Sequence, residues 1–377
     1  GIRDKLVTGV QTCALPIIAL HLVWQSLRHK PAASAMDILR GTPSSLAALF
    51  DYLARDVMDR LPPEMTDFMR RTAVLRELSA PACDAVTGCA DAAQMLHQLS
   101  QRDLFVVALH SEPGEPHTPT DEASPAYRYH HLFHDFLRAQ LNENPAQASQ
   151  SHIRAAEYFA SVSAPGAVAE PHLQEIHHWL QAAPLAPAVW EQAARAIERT
   201  GETLVRGGQL DALVRMIDAL PADILAAHPA LRALMGDVYR LRSKFDDALR
   251  WYADAEQHWR REHNAKGISR ALRGQASVYL DTVRPREAEG LLSEALRYAE
   301  GTADAQDTAE ARARLLELLA ENKLNMGKPD EAERLREEAR KLRETGFGED
   351  VLSVRVKLRT GRLAEARDIL ENWVAAE

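Results

Sequence analysis

Apolar side chains recur at helical spacing along most of this 377-residue chain. Leu20, Val23, Trp24 and Leu27 share one side of a predicted helix over Ile18–His29. Pro31, Gly41 and Pro43 then break the pattern. Leu46, Phe50, Leu53, Val57 and Leu61 form a second stripe, predicting a helix from Ser44 to Leu61. Pro62 suits the first turn of the next helix, Pro62–Leu75, where the proline's missing N–H costs nothing. Short helices are expected at Ala80–Thr87 and Asp91–Gln101, with Ser79 and Asp91 as N-caps. The period then changes from helical to extended. Leu104–Leu109 reads as a strand and Tyr127–His130 as a second. The polar Ser111–Ala126 between them carries Pro113, Pro116, Pro119 and Pro125 and cannot be a regular element. A helix over Leu132–Leu141 closes the series. Short helices, a hairpin with a long polar loop and a further helix make a winged-helix arrangement, with the proline-rich loop as its wing.

From about Asn144 the pattern is helix after helix, with a small residue returning just after a turn. Ala212, Ala248, Ala288, Ala332 and Ala366 lie 36, 40, 44 and 34 residues apart. Gly236, Tyr239, Ala248, Tyr252 and Ala255 match the tetratricopeptide pattern of small and large positions, and Ala276, Tyr279, Ala288, Leu292 and Ala295 repeat it at the same offsets. Small residues let two helices of a unit approach, and large ones fill the groove to the next unit. A third unit keeps Ala320, Ala332 and Ala339 but places Lys323 and Arg336 at large positions. Gly267 and Gly301 are expected between repeats. The fold class is therefore mainly α: a winged-helix unit with a small β-hairpin, followed by a tetratricopeptide-like α-superhelix.

Composition narrows the function. Formal net charge is −9, and no basic stripe offers a grip on phosphates. The wing loop is itself acidic, which disfavours DNA contact. Three cysteines, Cys13, Cys83 and Cys89, are too few for a disulfide framework and suit a reducing cytoplasm. No apolar run reaches the roughly 18–20 residues that span a bilayer, so no membrane role is expected. The first segment, Gly1–Ile17, resembles translated sequencing-adapter read-through rather than native protein.

The runs YLARDVMDRLPPEMTDFMRRTAVLRELSAPACDAVTG, LHQLSQRDLFVVAL and YRYHHLFHDFLRAQL resemble the winged-helix module of maltose-activator-like regulators, large signal-transduction ATPases with LuxR-type DNA-binding ends. The resemblance covers Ile18–Glu377, densest over Tyr52–Leu141. It implies a family order of nucleotide-binding domain, helical arm, winged helix, tetratricopeptide-like sensor and C-terminal helix-turn-helix. On that order residues 18–43 are the end of the helical arm of a missing ATPase domain, 44–143 the winged helix, and 144–377 a truncated sensor domain. No G-x-x-x-x-G-K-[ST] occurs, so the phosphate-cradling loop is absent from this chain. TVRPREAE (Thr282–Glu289) resembles the opening of a LuxR helix-turn-helix but sits at tetratricopeptide offsets and reads as a repeat turn. DNA contact would then belong to a missing C-terminal helix-turn-helix, and the chain reads as a fragment without either end of its parent.

The resemblance also implies a role for His130. In related ATPases a histidine just before the last winged-helix helix reaches the β-phosphate of ADP and holds a closed state. Neutral or protonated, an imidazole can donate such a bond. His130, His131 and His134 also invite a metal reading, His130 and His134 by their i, i+4 spacing, but no third or fourth ligand cluster accompanies them. His177 and His178 are expected at the surface or in repeat packing. Charge-dense Glu331–Glu344 reads as a solvated helix face. No G-x-S-x-G or H-E-x-x-H occurs, so no catalytic residue, no metal and no cofactor are expected in the chain; ATP or ADP would belong to the parent. An inducer or protein partner is expected on the repeat superhelix, where Trp251, Tyr252, Trp259 and Tyr279 are candidates by residue type, and self-association is expected of the parent. The competing reading is a free-standing tetratricopeptide scaffold that binds a protein or peptide.

Overall fold

The computed structural model describes residues 54–102, 106–109, 126–163, 169–300, 305–342 and 351–376. The expected helix over Ile18–His29, the start of the Ser44–Leu61 helix, the wing loop and Gly301 lie outside the described residues. The chain divides into two compact units, the first ending at Val189 and the second starting at Trp190.

The first unit opens with a helical stretch at 54–58 and continues through α1 (Pro63–Thr72), α2 (Ala80–Thr87) and α3 (Ala92–Gln101). Antiparallel strands β1 (Val106–Leu109) and β2 (Ala126–Tyr129) pair Val106 with Tyr129, and Leu109 with Ala126. Then come α4 (His131–Asn142), α5 (Pro145–Val162) and α6 (Ala169–Ala182). Leu78 adds a one-residue bridge to β2, its N–H donating to Tyr127 O at 2.7 Å and its carbonyl accepting from Tyr127 N at 3.0 Å. A single bridging residue has no period, which is why the pattern did not announce it.

Met65, Phe68 and Met69 of α1, Leu96 and Leu99 of α3, and Phe133 and Leu137 of α4 join one buried core. Ser79 caps α2 as expected, its Oγ accepting from Ala82 N. Asp91 does not cap α3 with its side chain. Asp84 takes over instead, Oδ1 accepting from Ala92 N at 2.9 Å, because α2 ends beside the α3 N-terminus. Strand β2 stops one residue before the expected His130, which becomes the N-cap of α4.

Helix α5 packs on the winged helix through Ala148 and Ala155. Its Arg154 reaches the carbonyls of Val86 and Thr87 at 3.2 and 3.0 Å, a cation on the orphan C-terminus of α2. Gln147 donates to Asp67 of α1 at 2.8 Å. These contacts keep α5 in the same compact unit as the winged helix, and the division between units falls after Val189.

The second unit contains α7 (Trp190–Arg206), α8 (Leu210–Asp218), the short α9 (Ala222–Ala227), α10 (Pro229–Leu241), α11 (Phe245–Arg261), α12 (Ala265–Asp281), α13 (Pro285–Glu300), α14 (Ala305–Asn325), α15 (Pro329–Leu342), α16 (Val351–Arg359) and α17 (Leu363–Ala376). Five antiparallel pairs turn on one device. Gly208, Ser243, Val283, Gly327 and Gly361 all have φ between 56° and 79°. In each turn the next residue's N–H reaches back five residues, as Arg284 N to Tyr279 O and Lys328 N to Lys323 O. The left-handed residue itself reaches back three, as Val283 N to Leu280 O. This is a Schellman cap repeated through the array.

Counted from that left-handed residue, the packing positions recur. Seven before it stand Gly201, Gly236, Ala276, Ala320 and Val354, all buried. Five after it stand Leu213, Ala248, Ala288, Ala332 and Ala366, again all buried. The first pair corrects the expected register: Ala212 is only partly buried, and Leu213 fills the equivalent place, its N–H bonded to Gln209 O as Ala248 N is to Lys244 O. Gly267 is also corrected. It lies in the first turn of α12 because Trp259 packs where its Cβ would be. Thr282–Arg284 does form a repeat turn.

Candidate functional site

Three places gather polar chemistry. The first is the junction of β2 and α4. Tyr129, at the end of β2, is sealed in the core with its hydroxyl 2.7 Å from Thr72 Oγ1. His130 follows, half-buried, with its ring 4.3 Å from that of His131. Its Nδ1 is enclosed and has no hydrogen-bond partner. Burial, with His131 and Arg128 nearby, pushes the imidazole down to about 4, so His130 is neutral at pH 7 and carries one N–H. His134 is already engaged, Nε2 lying 2.7 Å from Ala73 O and therefore donating there. Among the described residues no group of three or more His, Cys, Asp or Glu converges. Cys83 is buried, its thiol pushed up to about 12 by burial and by Asp84, which makes it inert.

A histidine pair between α5 and α6 forms the second. His152 and His178 meet Nδ1 to Nδ1 at 3.0 Å, and Phe159 stacks on His178 with ring centroids 5.6 Å apart. Burial, then the neighbouring imidazoles, pushes His152 to about 4 and His178 to about 2. Both are neutral. The buried His178 Nε2 has no partner, so the tautomer that avoids an orphaned N–H has His178 Nδ1 donating to His152 Nδ1. Expectation placed His177 and His178 alike at the surface or in packing. His177 is exposed while His178 is 1% exposed. The partner His152, on another helix, left no signal in the local sequence.

In the repeats lies the third, a cavity of about 430 Å³ lined by first helices of successive pairs, α10, α12 and α14. Arg240, Arg270, Arg273 and Arg314 line it together with Asp237, Glu317 and Glu321. Most of these charges are engaged. Arg240 binds Asp281 at 2.8 Å, Arg270 binds Glu202 and Asp237 at 3.0 and 3.3 Å, and Arg314 binds Glu310 at 3.0 Å. Arg355 holds Glu321 at 2.9 Å. Tyr252 donates to Asp237 Oδ1 at 2.6 Å. Of the aromatic candidates, Tyr252 and Trp259 are core, 1% and 5% exposed. Trp251 stacks on Tyr239, and Arg284 lies over Tyr279. Residue type pointed to the aromatics; the arginines carried no such signal because their convergence needs three helices side by side.

A winged helix and an array of paired helices, carried in one chain, define the class of protein. Residues 54–149 match the model of the MalT winged helix domain, and residues 229–301 match that of the tetratricopeptide repeat. The chain resembles the MalT-type transcriptional regulators. It is 25% identical over 329 residues to the HTH-type transcriptional regulator MalT of Vibrio campbellii, covering 86% of this chain and 33% of that protein. The MalT of Serratia proteamaculans is 24% identical over 286 residues, covering 74% and 29%. The chain thus spans about a third of the length of the curated relatives it matches. Among solved structures, a signal transduction ATPase with a tetratricopeptide repeat sensor from Pyrococcus horikoshii aligns with TM-score 0.46 and 11% identity, over 96% of this chain and 61% of that one. BtubC from P. vanneervenii aligns with TM-score 0.40 and 16% identity, over 58% and 89%.

Proposed function

We propose that this chain is the regulatory and sensor portion of an ATP-dependent bacterial transcriptional activator. The repeat array takes an inducer or a protein partner. The winged helix relays that occupancy to the nucleotide state of an ATPase domain elsewhere in the parent. The observation that carries the reading is the joining of a MalT-type winged helix to tetratricopeptide repeats, with similarity to a transcriptional regulator running through both. Relay requires a ligand that binds two states with different affinity.

His130 is the residue through which the winged helix would read nucleotide. Its neutral ring and enclosed, unpartnered Nδ1 suit a single bond to a phosphate oxygen from the other nitrogen. No catalytic step is assigned to the chain; ATP and ADP act in the parent. DNA contact belongs to a helix-turn-helix, and self-association to the assembled protein. No described helix is long and apolar enough to cross a membrane, which agrees with a cytoplasmic regulator. Sequencing the genomic DNA on both sides tests the reading. An in-frame G-x-x-x-x-G-K-[ST] upstream and a helix-turn-helix downstream are expected. A complete gene starting near Met36 overturns it in favour of a free-standing scaffold.

A further inference from the structure

Three of the four arginines around the α10–α12–α14 cavity are neutralised by named acids. Arg273 is not. Its guanidinium makes no hydrogen bond or ion pair with any described residue, although it lines the cavity. Desolvation lowers its proton affinity and Arg270 and Arg314 lower it further, against a partial opposing pull from Glu202 and Asp237, so that the net direction is down. A guanidinium partly out of water, with no acid bonded to it, is costly unless an anion joins it. The acids of the cavity and its edge are committed elsewhere: Asp237 to Tyr252 and Arg270, Glu202 to Arg270, Glu321 to Arg355, and Glu317 is engaged as well.

We propose that this cavity is a binding site for a small organic anion, whose carboxylate or phosphate head pairs with the fork of Arg273. A guanidinium offers two parallel N–H donors matched to either head group. The volume, about 430 Å³, falls in the range of small-molecule pockets, roughly 300–1,000 Å³. Leu318 gives the body of such a ligand an apolar contact. Ser277 donates its hydroxyl hydrogen to Arg273 O at 3.0 Å, so its oxygen faces a ligand as an acceptor only. The ligand is therefore a hydroxylated or amine-bearing acid in preference to a purely apolar one. This inference rests on the reading of the repeat array as the ligand-bearing surface and names the chemistry of that ligand.

The test uses the full 377-residue chain, with sodium phosphate and sodium acetate as probes against sodium chloride at matched ionic strength. Calorimetric titration and the unfolding midpoint are the readouts. At least one of the two anions binds and raises the midpoint above chloride, and which one does so assigns the head group. Arg273→Gln weakens that binding at least tenfold. Arg273→Lys, which keeps the charge but loses the fork, falls between and serves where the glutamine variant does not fold. Arg367→Gln, far along the chain on exposed surface, binds as the parent does. Failure of both anions to exceed chloride, or an Arg273→Gln chain that binds as tightly as the parent, overturns the site. Neither result touches the regulator reading, which the flanking genomic sequence decides separately.

Discussion

Val283 occupies a conformation that suits glycine. Its φ is 56° and its side chain is 77% exposed, so it packs against little. A β-branched residue in the left-handed region costs of order 1–3 kcal/mol. The equivalent positions in three other turns are glycines: Gly208, Gly327 and Gly361. Val283→Gly is expected to stabilise the repeat array by about 1 kcal/mol after the added freedom of the unfolded chain is counted, seen as a higher midpoint in thermal unfolding. The buried histidines give a second prediction. His152 and His178 have folded values below the ordinary 6.5, so on acidification the unfolded state takes up protons first. Their contribution is complete above pH 6.5 and is lost from there down to about 4 and about 2 respectively, at up to about 1.4 kcal/mol per pH unit for each. His228 has the opposite sign. Burial draws it down, but the hydrogen bonds its ring nitrogens donate to Glu191 and Glu198, at 2.9 and 3.0 Å, outweigh that and raise it. Its stabilisation is present below pH 6.5 and disappears as pH rises through the folded value. Hydrogen exchange, corrected for intrinsic rate, should show α5 and α6 loosening from pH 7.5 to 5.5 while α7 holds to the start of α10. A His152→Leu/His178→Leu chain should lose the first trend and keep the second.

Among helices, the decisive contacts are those in which an aromatic ring occupies the volume of an absent Cβ. Tyr252 of α11 lies between Gly236 of α10 and Gly274 of α12, and a Cβ at Gly236 would come within 2.6 Å of the ring. Alanine normally improves a helix by about 1 kcal/mol over glycine. At Gly274 the collision reverses that sign, and Gly274→Ala should destabilise by about 1–3 kcal/mol, the usual cost of overpacking. Gly290 is the matched control: mid-helix in α13 with nothing near a built Cβ, it should gain about 1 kcal/mol on replacement by alanine. Urea unfolding of the two variants checks both signs. The element list was legible in the sequence because amphipathic stripes and caps are local: α2 falls at Ala80–Thr87 as expected. What escaped was non-local. Gly201 carried no recognisable repeat context, yet it takes the place of Gly236 in its own pair, against Leu234. His152 and Arg273 acquire meaning only from helices distant in the chain.

For the molecule as a whole, the reading of a regulator came from two features of different reach. The winged helix announced itself through a dense run of characteristic residues, while the repeats announced themselves through spacing. His130 could be placed at the strand–helix junction from sequence, but its neutrality depends on burial that only the fold supplies. Helix α5 spends its small residues Ala148 and Ala155 on the winged-helix core, a choice that its own pattern does not reveal. In the array, alignment is set at the left-handed residue of each turn. Residues seven before and five after that point are buried in every pair, whereas the turns themselves stand 35, 40, 44 and 34 residues apart. The extra residues accumulate at the opposite ends of the helices, as in the 21-residue α14. Such a solenoid can lengthen individual modules by insertion on one rim without disturbing the stacking on the other, so the depth of its groove is free to vary locally while the joint between modules stays constant.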